Sequence, residues 1–556
     1  MIIKIGNAIN NSFEEVKIGM SNAKLVLSKE SIKNSELWEN AGIELPKFDH
    51  DKMSTSTKEN PTWVHFGAGN IFRGFIAMLQ QELLNNKKVS GGIVAVEGYD
   101  YEIIDKIYAP HDDLSLLVIM KPDGSLEKKV VGSIGESLAC DYSRGQDWNR
   151  LKDIFSNPLL QIASFTITEK GYSVKNLSEE DTTDGLEHPV SIIAKATSLA
   201  YVRYKNGQLP IAFVSMDNCS KNGEKLHDAM ETIAKKWTEN GLVDKGFLQY
   251  INDDKKVSFP WSMIDKITPR PSQSVKDTLG ENGFDSTEII CTNKNTYIAP
   301  FVNAEGPQYL VIEDDFPNGR MALEEAGVFL TNRETVERVE KMKVCTCLNP
   351  LHTSLAVFGC LLGYNLIADE MKDQTLKKLV EKIGYDEGMP VVVDPGILKP
   401  EDFIKEVLEV RLPNPYIPDT PQRIASDTSQ KVGIRFGETI KAYRDRVDLD
   451  TKNIKYIPLV IAGWCRYLMG IADDGNAMEL SPDPLLDELK KYVANIKLGT
   501  IEQLGDTLKP ILINEEIFGV DLYVIGLGEK IEGYFTEMIS GTGAVRSTLE
   551  KYLECR

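Results

Sequence analysis

Three short stretches of this 556-residue chain hold residues whose types and spacing could do chemistry. In Trp63-Val64-His65-Phe66-Gly67-Ala68-Gly69-Asn70-Ile71-Phe72-Arg73-Gly74 an apolar run breaks into two glycines and then into helix-compatible sequence. Gly67 permits a tight turn, Gly69 lets backbone approach a phosphate, and a helix opening at Asn70 and Ile71 presents free N–H groups and the positive end of its dipole. That is the outline of a pyrophosphate cradle, with Arg73 close behind; a plain turn uses the same residues, and Phe72 stands where the third fingerprint glycine would be. The second stretch, Glu337 to Tyr364, carries Lys341, Lys343, Asn349 and His352 among apolar residues. Asn349 and His352 share a helix face. A lysine desolvated in a cleft can serve as a general base toward an alcohol, and an asparagine amide can steady the alkoxide that forms. The same residues also fit a purely structural role, with the lysines reaching to water, Asn349 breaking the helix before Pro350 and His352 in the core. In the third stretch, Arg423-Ile424-Ala425-Ser426-Asp427-Thr428-Ser429-Gln430-Lys431, the two cations could clamp an anion, or Ser426 or Asp427 caps a helix and the charges stay in solvent, with Arg423 able to pair with Asp427.

Those residues need elements to position them. From 61 to about 330 short apolar runs recur at Trp63–Phe66, Ile93–Val96, Leu116–Met120, Ile162–Thr168 and Ile211–Ser215, with helix-compatible segments such as Phe75–Asn85 and Asp147–Phe155 between them. The alternation predicts a mostly parallel sheet with crossover helices. Polar clusters follow the runs at 67–70, 97–100, 169–172 and 217–220, where an open α/β sheet binds its ligands. Glu97 closes the second run, 28 residues after Gly69. An acid there accepts hydrogen bonds from a ribose and repels a 2′-phosphate, which favours NAD over NADP; a solvated loop acid is the alternative. Beyond residue 334 long helical periodicities take over, at 334–364, 369–383, 401–410, 429–444, 457–471 and 484–496, with prolines between them. The expected organisation is an extension over 1–60 with one short helix near 30–41 and a disordered start, an α/β Rossmann-type domain over 61–333, and an all-α domain over 334–556.

Composition narrows the partners. A formal net charge of −20 argues against nucleic-acid or anionic-membrane surfaces and leaves small ligands. Eight scattered cysteines without a C-x-x-C pair fit a reducing cytoplasm. Cys345, Cys347 and His352 lack structural-zinc spacing and read as buried thiols beside a histidine. The most apolar stretch, 457–472, is interrupted by Arg466 and is short for a bilayer.

Six ordered blocks carry a resemblance: His65 to Arg73, Thr166 to Tyr172, Ser215-Met216-Asp217-Asn218 running to Asn222-Gly223, Phe259 to Pro269, Leu348-Asn349-Pro350-Leu351-His352, and Arg423 to Asp427 with Ser429-Gln430-Lys431. From about Leu45 onward the chain resembles the long-chain polyol and hexuronate dehydrogenases. The resemblance implies zinc-independent hydride transfer between NAD(H) and a sugar-derived alcohol or ketone. It implies a lysine acid/base, Asn218 and Asn349 holding the reacting oxygen, His352 orienting the substrate, Glu169 relaying protons to solvent, and Asp265 and Lys431 in the substrate pocket. One position departs from the pattern. The family lysine stands where this chain has Val344, and the nearest lysine, Lys343, lies one residue further from Asn349; a bulge would bring it back, with Lys341 in reserve. The Cys347–Thr353 block and the long amino-terminal extension are similar to the hexuronate reductases, which implies fructuronate reduction to mannonate. Tagaturonate, mannitol and arabinitol stay open, as does a nucleotide-binding regulator that has lost catalysis.

Overall fold

The computed structural model describes residues 24–175, 177–499 and 506–554. They form two compact units divided between Val336 and Glu337. The first twenty residues, expected to be disordered, lie outside the described segments.

Unit 1 is built on six parallel strands: β1 (Trp63–Phe66), β2 (Ile93–Glu97), β3 (Ile134–Ala139), β4 (Ile162–Phe165), β5 (Ile211–Ser215) and β6 (Val257–Ser258). Their order across the sheet is β3-β2-β1-β4-β5-β6, the doubly wound dinucleotide-binding arrangement. Helices on both faces require strands that are apolar on both sides. Accordingly Val64, Phe66, Val94, Val96, Ala163, Phe165 and Phe213 enter one core, and Trp63, Ile93, Ala95, Ile162, Ala212 and Val214 the other. The strand order reverses between β1 and β4, so the loop after β1 opens at the switch point where such sheets bind ligands.

Two expectations for this unit are corrected. The run Leu116–Met120 lies outside the main sheet, within the strand Ser115–Met120 of a four-stranded sheet that also takes Ile43–Glu44, Leu126–Val131 and Phe301–Ala304. The segment before residue 61 is more than an appendage. Ile43–Glu44 pairs in parallel with Lys128–Lys129, Leu25 bridges to Phe284, and Leu25, Leu27 and Trp38 are buried. Trp38 packs edge-on against Phe284 with ring centroids 6.2 Å apart.

Unit 2 is helical; among its described residues the one β feature is an isolated bridge between Ile471 and Ala477. Its centre is the helix α1 (Asn349–Leu362), which packs on α2 (Tyr456–Tyr467); Gly463 makes the crossing close, since a Cβ there would lie 2.7 Å from the Phe358 ring. The predicted helices exist in broken form. Wide π turns interrupt them at Met342–Cys347, Lys382–Gly388, Val407–Arg411 and Gly433–Gly437. A stretch from Arg333 to Leu362 is long and apolar enough by composition to cross a membrane, but 78% of its apolar window is buried inside the protein.

The amino-terminal arm is therefore expected to hold unit 1 together. Trp38→Ala leaves a large cavity and should cost about 3–5 kcal/mol, read as a lowered melting temperature in calorimetry. An unchanged melting temperature would return the arm to the status of an appendage.

Candidate active site

In unit 1 the chain leaves β1 at Phe66 and turns at Gly67, whose φ is +107°. A Cβ at Gly67 would sit 2.2 Å from the Thr166 carbonyl oxygen, so strand contact alone demands glycine. Gly69 differs: a Cβ there would meet nothing within 4 Å. The helix begins at Asn70, and Arg73 N–H is the first to bond back, to the Gly69 carbonyl at 3.2 Å. The N–H groups of Asn70, Ile71 and Phe72 thus precede the helix's first turn bond, next to the open space at Gly69, as a pyrophosphate site requires. The residues fit a dinucleotide cradle.

Phe72 and Arg73 turn inward. Phe72 stacks on His65 at 4.4 Å, and His65 hydrogen-bonds Ser164 (2.7 Å) and Thr166 (2.8 Å). Burial pushes the His65 imidazole down to about 3, so it stays neutral. The close helix approach expected of the third fingerprint glycine is made by Gly74, whose Cβ would lie 3.0 Å from Val302 and 3.1 Å from Thr268. Arg73 is buried, giving Nη1 to Ser115 (3.1 Å) and the Ala299 carbonyl (2.7 Å) and Nη2 to the Asn70 amide oxygen (3.0 Å). It is a brace for Asn70, which corrects its placement at the phosphates.

Glu97 is also turned inward. Its carboxylate, 7% exposed, accepts the N–H groups of Ala68 (3.0 Å), Tyr99 (2.8 Å) and Asp100 (3.1 Å). Burial raises its pKa, and those three hydrogen bonds oppose the rise. The expected ribose acceptor is thus the strut that ties the glycine loop to the end of β2.

The next two strand ends are joined the same way. Asp217 accepts the N–H groups of Ile167 and Thr168, each at 2.9 Å, and the Tyr172 hydroxyl. Thr168 has φ +64°, a costly conformation for a β-branched residue, and this bond holds it there. Beside these struts Asn218 is exposed, and Glu169 is exposed and paired with Lys225. Asn222, buried, bonds Ser215, Asp217 and Ser262, which fixes the loop carrying Asn218. Asp265 is buried at the end of the strand Ser262–Asp265.

In unit 2 the departure at the lysine has a structural answer. Through the π turn Met342–Cys347 the Leu348 N–H bonds the Lys343 carbonyl, five residues back, at 3.1 Å. The wide turn holds one residue more between Lys343 and Asn349 than an uninterrupted helix would. Lys343 is buried, whereas Lys341 is exposed and paired with Glu337 at 2.9 Å. Pro350 falls in the first turn of α1, where a missing N–H is tolerated, so the helix is started there and Asn349 and His352 do share its first turn. His352 Nε2 lies 3.4 Å from Asp419, without a formed hydrogen bond. Burial raises the Asp419 carboxyl, but His352 and Arg423 outweigh it and hold it low.

Arg423 pairs with Asp419 and not with Asp427, the partner weighed from the sequence. Lys431 gives its ammonium to the Ser426 carbonyl at 2.5 Å. Asp419 and Arg435 were missed; their signal is spacing, each four residues from Arg423 or Lys431. Burial pushes the Cys345 and Cys347 thiols up to about 12, so they stay protonated.

The two glycines should separate by experiment. Gly69→Ala is expected to fold normally but weaken NADH binding at least tenfold, measured by fluorescence titration, whereas Gly67→Ala should lower the melting temperature. Equal NADH affinity in wild type and Gly69→Ala would remove the cradle.

Known proteins match the chain over both units. Residues 61–325 match the Mannitol dehydrogenase Rossmann domain and residues 335–529 the Mannitol dehydrogenase C-terminal domain. A D-mannonate oxidoreductase of Thermotoga maritima is 57% identical, over 94% of this chain and 98% of its own length. A D-mannonate oxidoreductase of Escherichia coli is 27% identical, over 87% of this chain and 93% of its own. The structure of a mannitol 2-dehydrogenase from Pseudomonas fluorescens, solved with NAD and D-mannitol, aligns with a TM-score of 0.66 at 24% identity, covering 93% of this chain and 97% of that one. The chain belongs to the mannitol dehydrogenase family.

Proposed function

We propose that this chain is an NAD-dependent oxidoreductase that interconverts D-fructuronate and D-mannonate, a cytoplasmic enzyme of hexuronate metabolism. What carries the reading is the 57% identity, over nearly the full length, with a protein named D-mannonate oxidoreductase. The reaction class is supported by the glycine cradle of unit 1 and by the buried Lys343, which the π turn in unit 2 would bring to the family spacing. NAD over NADP is supported by the lack of a free arginine for a 2′-phosphate in the sequence that follows the glycine loop. No arginine follows Arg73 in sequence until Arg144, and both oxygens of Asp105 hold that one, at 2.8 and 2.7 Å.

Gly67, Gly69, Asn70 and Ile71 would hold the dinucleotide, which supplies or accepts the hydride when bound. The remaining chemistry belongs to the chain. In ketone reduction the Lys343 ammonium gives its proton to the substrate oxygen, and the Asn349 amide donates a hydrogen bond to that oxygen as negative charge gathers on it. In alcohol oxidation the neutral amine takes the hydroxyl proton back. His352, with Asp419 3.4 Å away, orients the neighbouring hydroxyls. Asn218 supplies the second amide, Glu169 passes protons to solvent, and Asp265 lines the substrate pocket.

Lys343→Ala should cut turnover at least a hundredfold and leave NADH binding intact, while Lys341→Ala stays near wild type and EDTA has no effect. Loss of activity in Lys341→Ala but not in Lys343→Ala would reassign the acid/base. An absorbance assay of NADH and NADPH oxidation with fructuronate, tagaturonate and fructose tests the substrate. Fructuronate with NADH is expected to be used best; fructose reduced as efficiently as fructuronate would replace the uronate reading with the mannitol one.

A further inference from the structure

Unit 2 holds two cations that its carboxylates leave largely unneutralised. Arg435 stands four residues after Lys431, and its N–H bonds the Lys431 carbonyl at 3.0 Å, so the two cations lie one turn apart and repel. Among the described residues no carboxylate lies within ion-pair distance of the Arg435 guanidinium, and burial pushes it down to about 10. Burial and the nearby Arg435 both lower Lys431, and Asp427 and Asp483 oppose this less strongly. Asp483 is itself engaged by Ser429 (2.7 and 2.5 Å) and the Leu485 N–H (2.9 Å).

The guanidinium is held in place. Arg435 lies in the π turn Gly433–Gly437, whose two glycines press backbone to backbone on the loop at Ile517 and Phe518. A Cβ on Gly433 or Gly437 would lie 2.7 Å from the Ile517 carbonyl oxygen or 2.0 Å from that of Phe518. Midway between them in sequence, Arg435 leaves from the opposite side and gives Nη1 to the Thr353 hydroxyl, which bonds the Asn349 carbonyl at 2.9 Å. No protein acceptor takes Nε or Nη2 among the described residues, so one fork of the guanidinium remains for a planar anion. The same π turn packs on the one that carries Lys343. Arg423 offers no comparable fork: it is exposed and already paired with Asp419.

We propose that Arg435, assisted by Lys431, anchors the carboxylate of the sugar acid, and that preference for uronates over neutral ketoses resides in this pair and not in Arg423. The inference rests on the proposed hexuronate reaction and deepens it. A bound carboxylate supplies the missing counter-charge and sets the acid end of the chain beside the helix turn whose Asn349 amide holds the carbonyl oxygen.

The test combines kinetics on fructuronate and fructose with thermal shifts by D-mannonate and D-mannitol, using the full chain. Arg435→Gln is expected to lower the fructuronate-to-fructose ratio of kcat/KM at least tenfold, mainly through KM for fructuronate, and to abolish the melting-temperature rise given by mannonate. Without ligand its melting temperature should equal or exceed that of wild type, because an unneutralised cation has gone. Arg435→Lys keeps the charge without the fork and should fall between the two; Thr353→Val, which frees the guanidinium, should raise KM for fructuronate several-fold, so the pair serves if the glutamine variant fails to fold. The proposal is overturned if the ratio and the mannonate shift survive in Arg435→Gln, or if Arg423→Gln alone abolishes that shift. A wild-type enzyme that does not prefer fructuronate refutes the hexuronate reaction instead; the mannonate shift in wild type and Arg435→Gln then still decides the anchor.

Discussion

The hydrogen bond from the Ala68 N–H to the buried Glu97 carboxylate is the contact on which the cofactor half of the protein depends. A glycine loop has no side chains with which to hold its own shape, and Gly69 lies over open space. Something behind it must fix the backbone. Glu97 does so by accepting Ala68 on one strand end and Tyr99 and Asp100 on the next. Asp217 repeats the device between β4 and β5, and Glu387 takes the N–H groups of Lys455, Tyr456 and Ile457 where α2 begins. Buried carboxylates are costly unless hydrogen-bonded, and backbone N–H groups at a loop or helix start are the donors in surplus there. Each need meets the other.

The same logic explains what could be read from the sequence. Strands buried on both faces show as unbroken apolar runs, so the parallel sheet and its ligand-binding end were legible from Trp63–Phe66, Ile93–Val96, Ile162–Thr168 and Ile211–Ser215. What those runs did not reveal was the direction of a side chain. Glu97 at a strand end reads the same whether it faces a ribose or the backbone N–H of Ala68. Arg73 follows the glycines as a phosphate ligand would, yet its guanidinium braces Asn70 and the second sheet. Short strands such as Val257–Ser258 and Ile43–Glu44 are too brief to carry a period at all.

In unit 2 the obstacle was different. An amphipathic period of 3.6 residues locates a helix but not an extra residue within it, and the π turns each insert one. The lysine departure was therefore visible as a spacing anomaly, while the extra residue in the turn was visible only in the Leu348-to-Lys343 hydrogen bond. The carbonyl of Cys345, in the loosened turn, is met by the Thr439 hydroxyl at 3.2 Å, so the turn is supported from the neighbouring helix.

The pattern of charge then separates the two halves by task. In the cofactor half the buried charges are engaged within the fold, Glu97 by backbone N–H groups and Arg73 by Ser115, Asn70 and the Ala299 carbonyl, which makes a rigid frame around an open loop. In the helical half the half-buried charges near the first turn of α1 include cations with too few acids, and one of them, Arg435, is locked by two glycines and a threonine. Folding alone gives no reason to hold like charges one turn apart away from water, since their repulsion and desolvation both weaken the free protein. A rigid unneutralised cation is stabilised only when its counter-ion arrives, so energy withheld from folding becomes available for binding. Arg423, paired with Asp419, has spent that difference within the fold and has little left for an incoming acid.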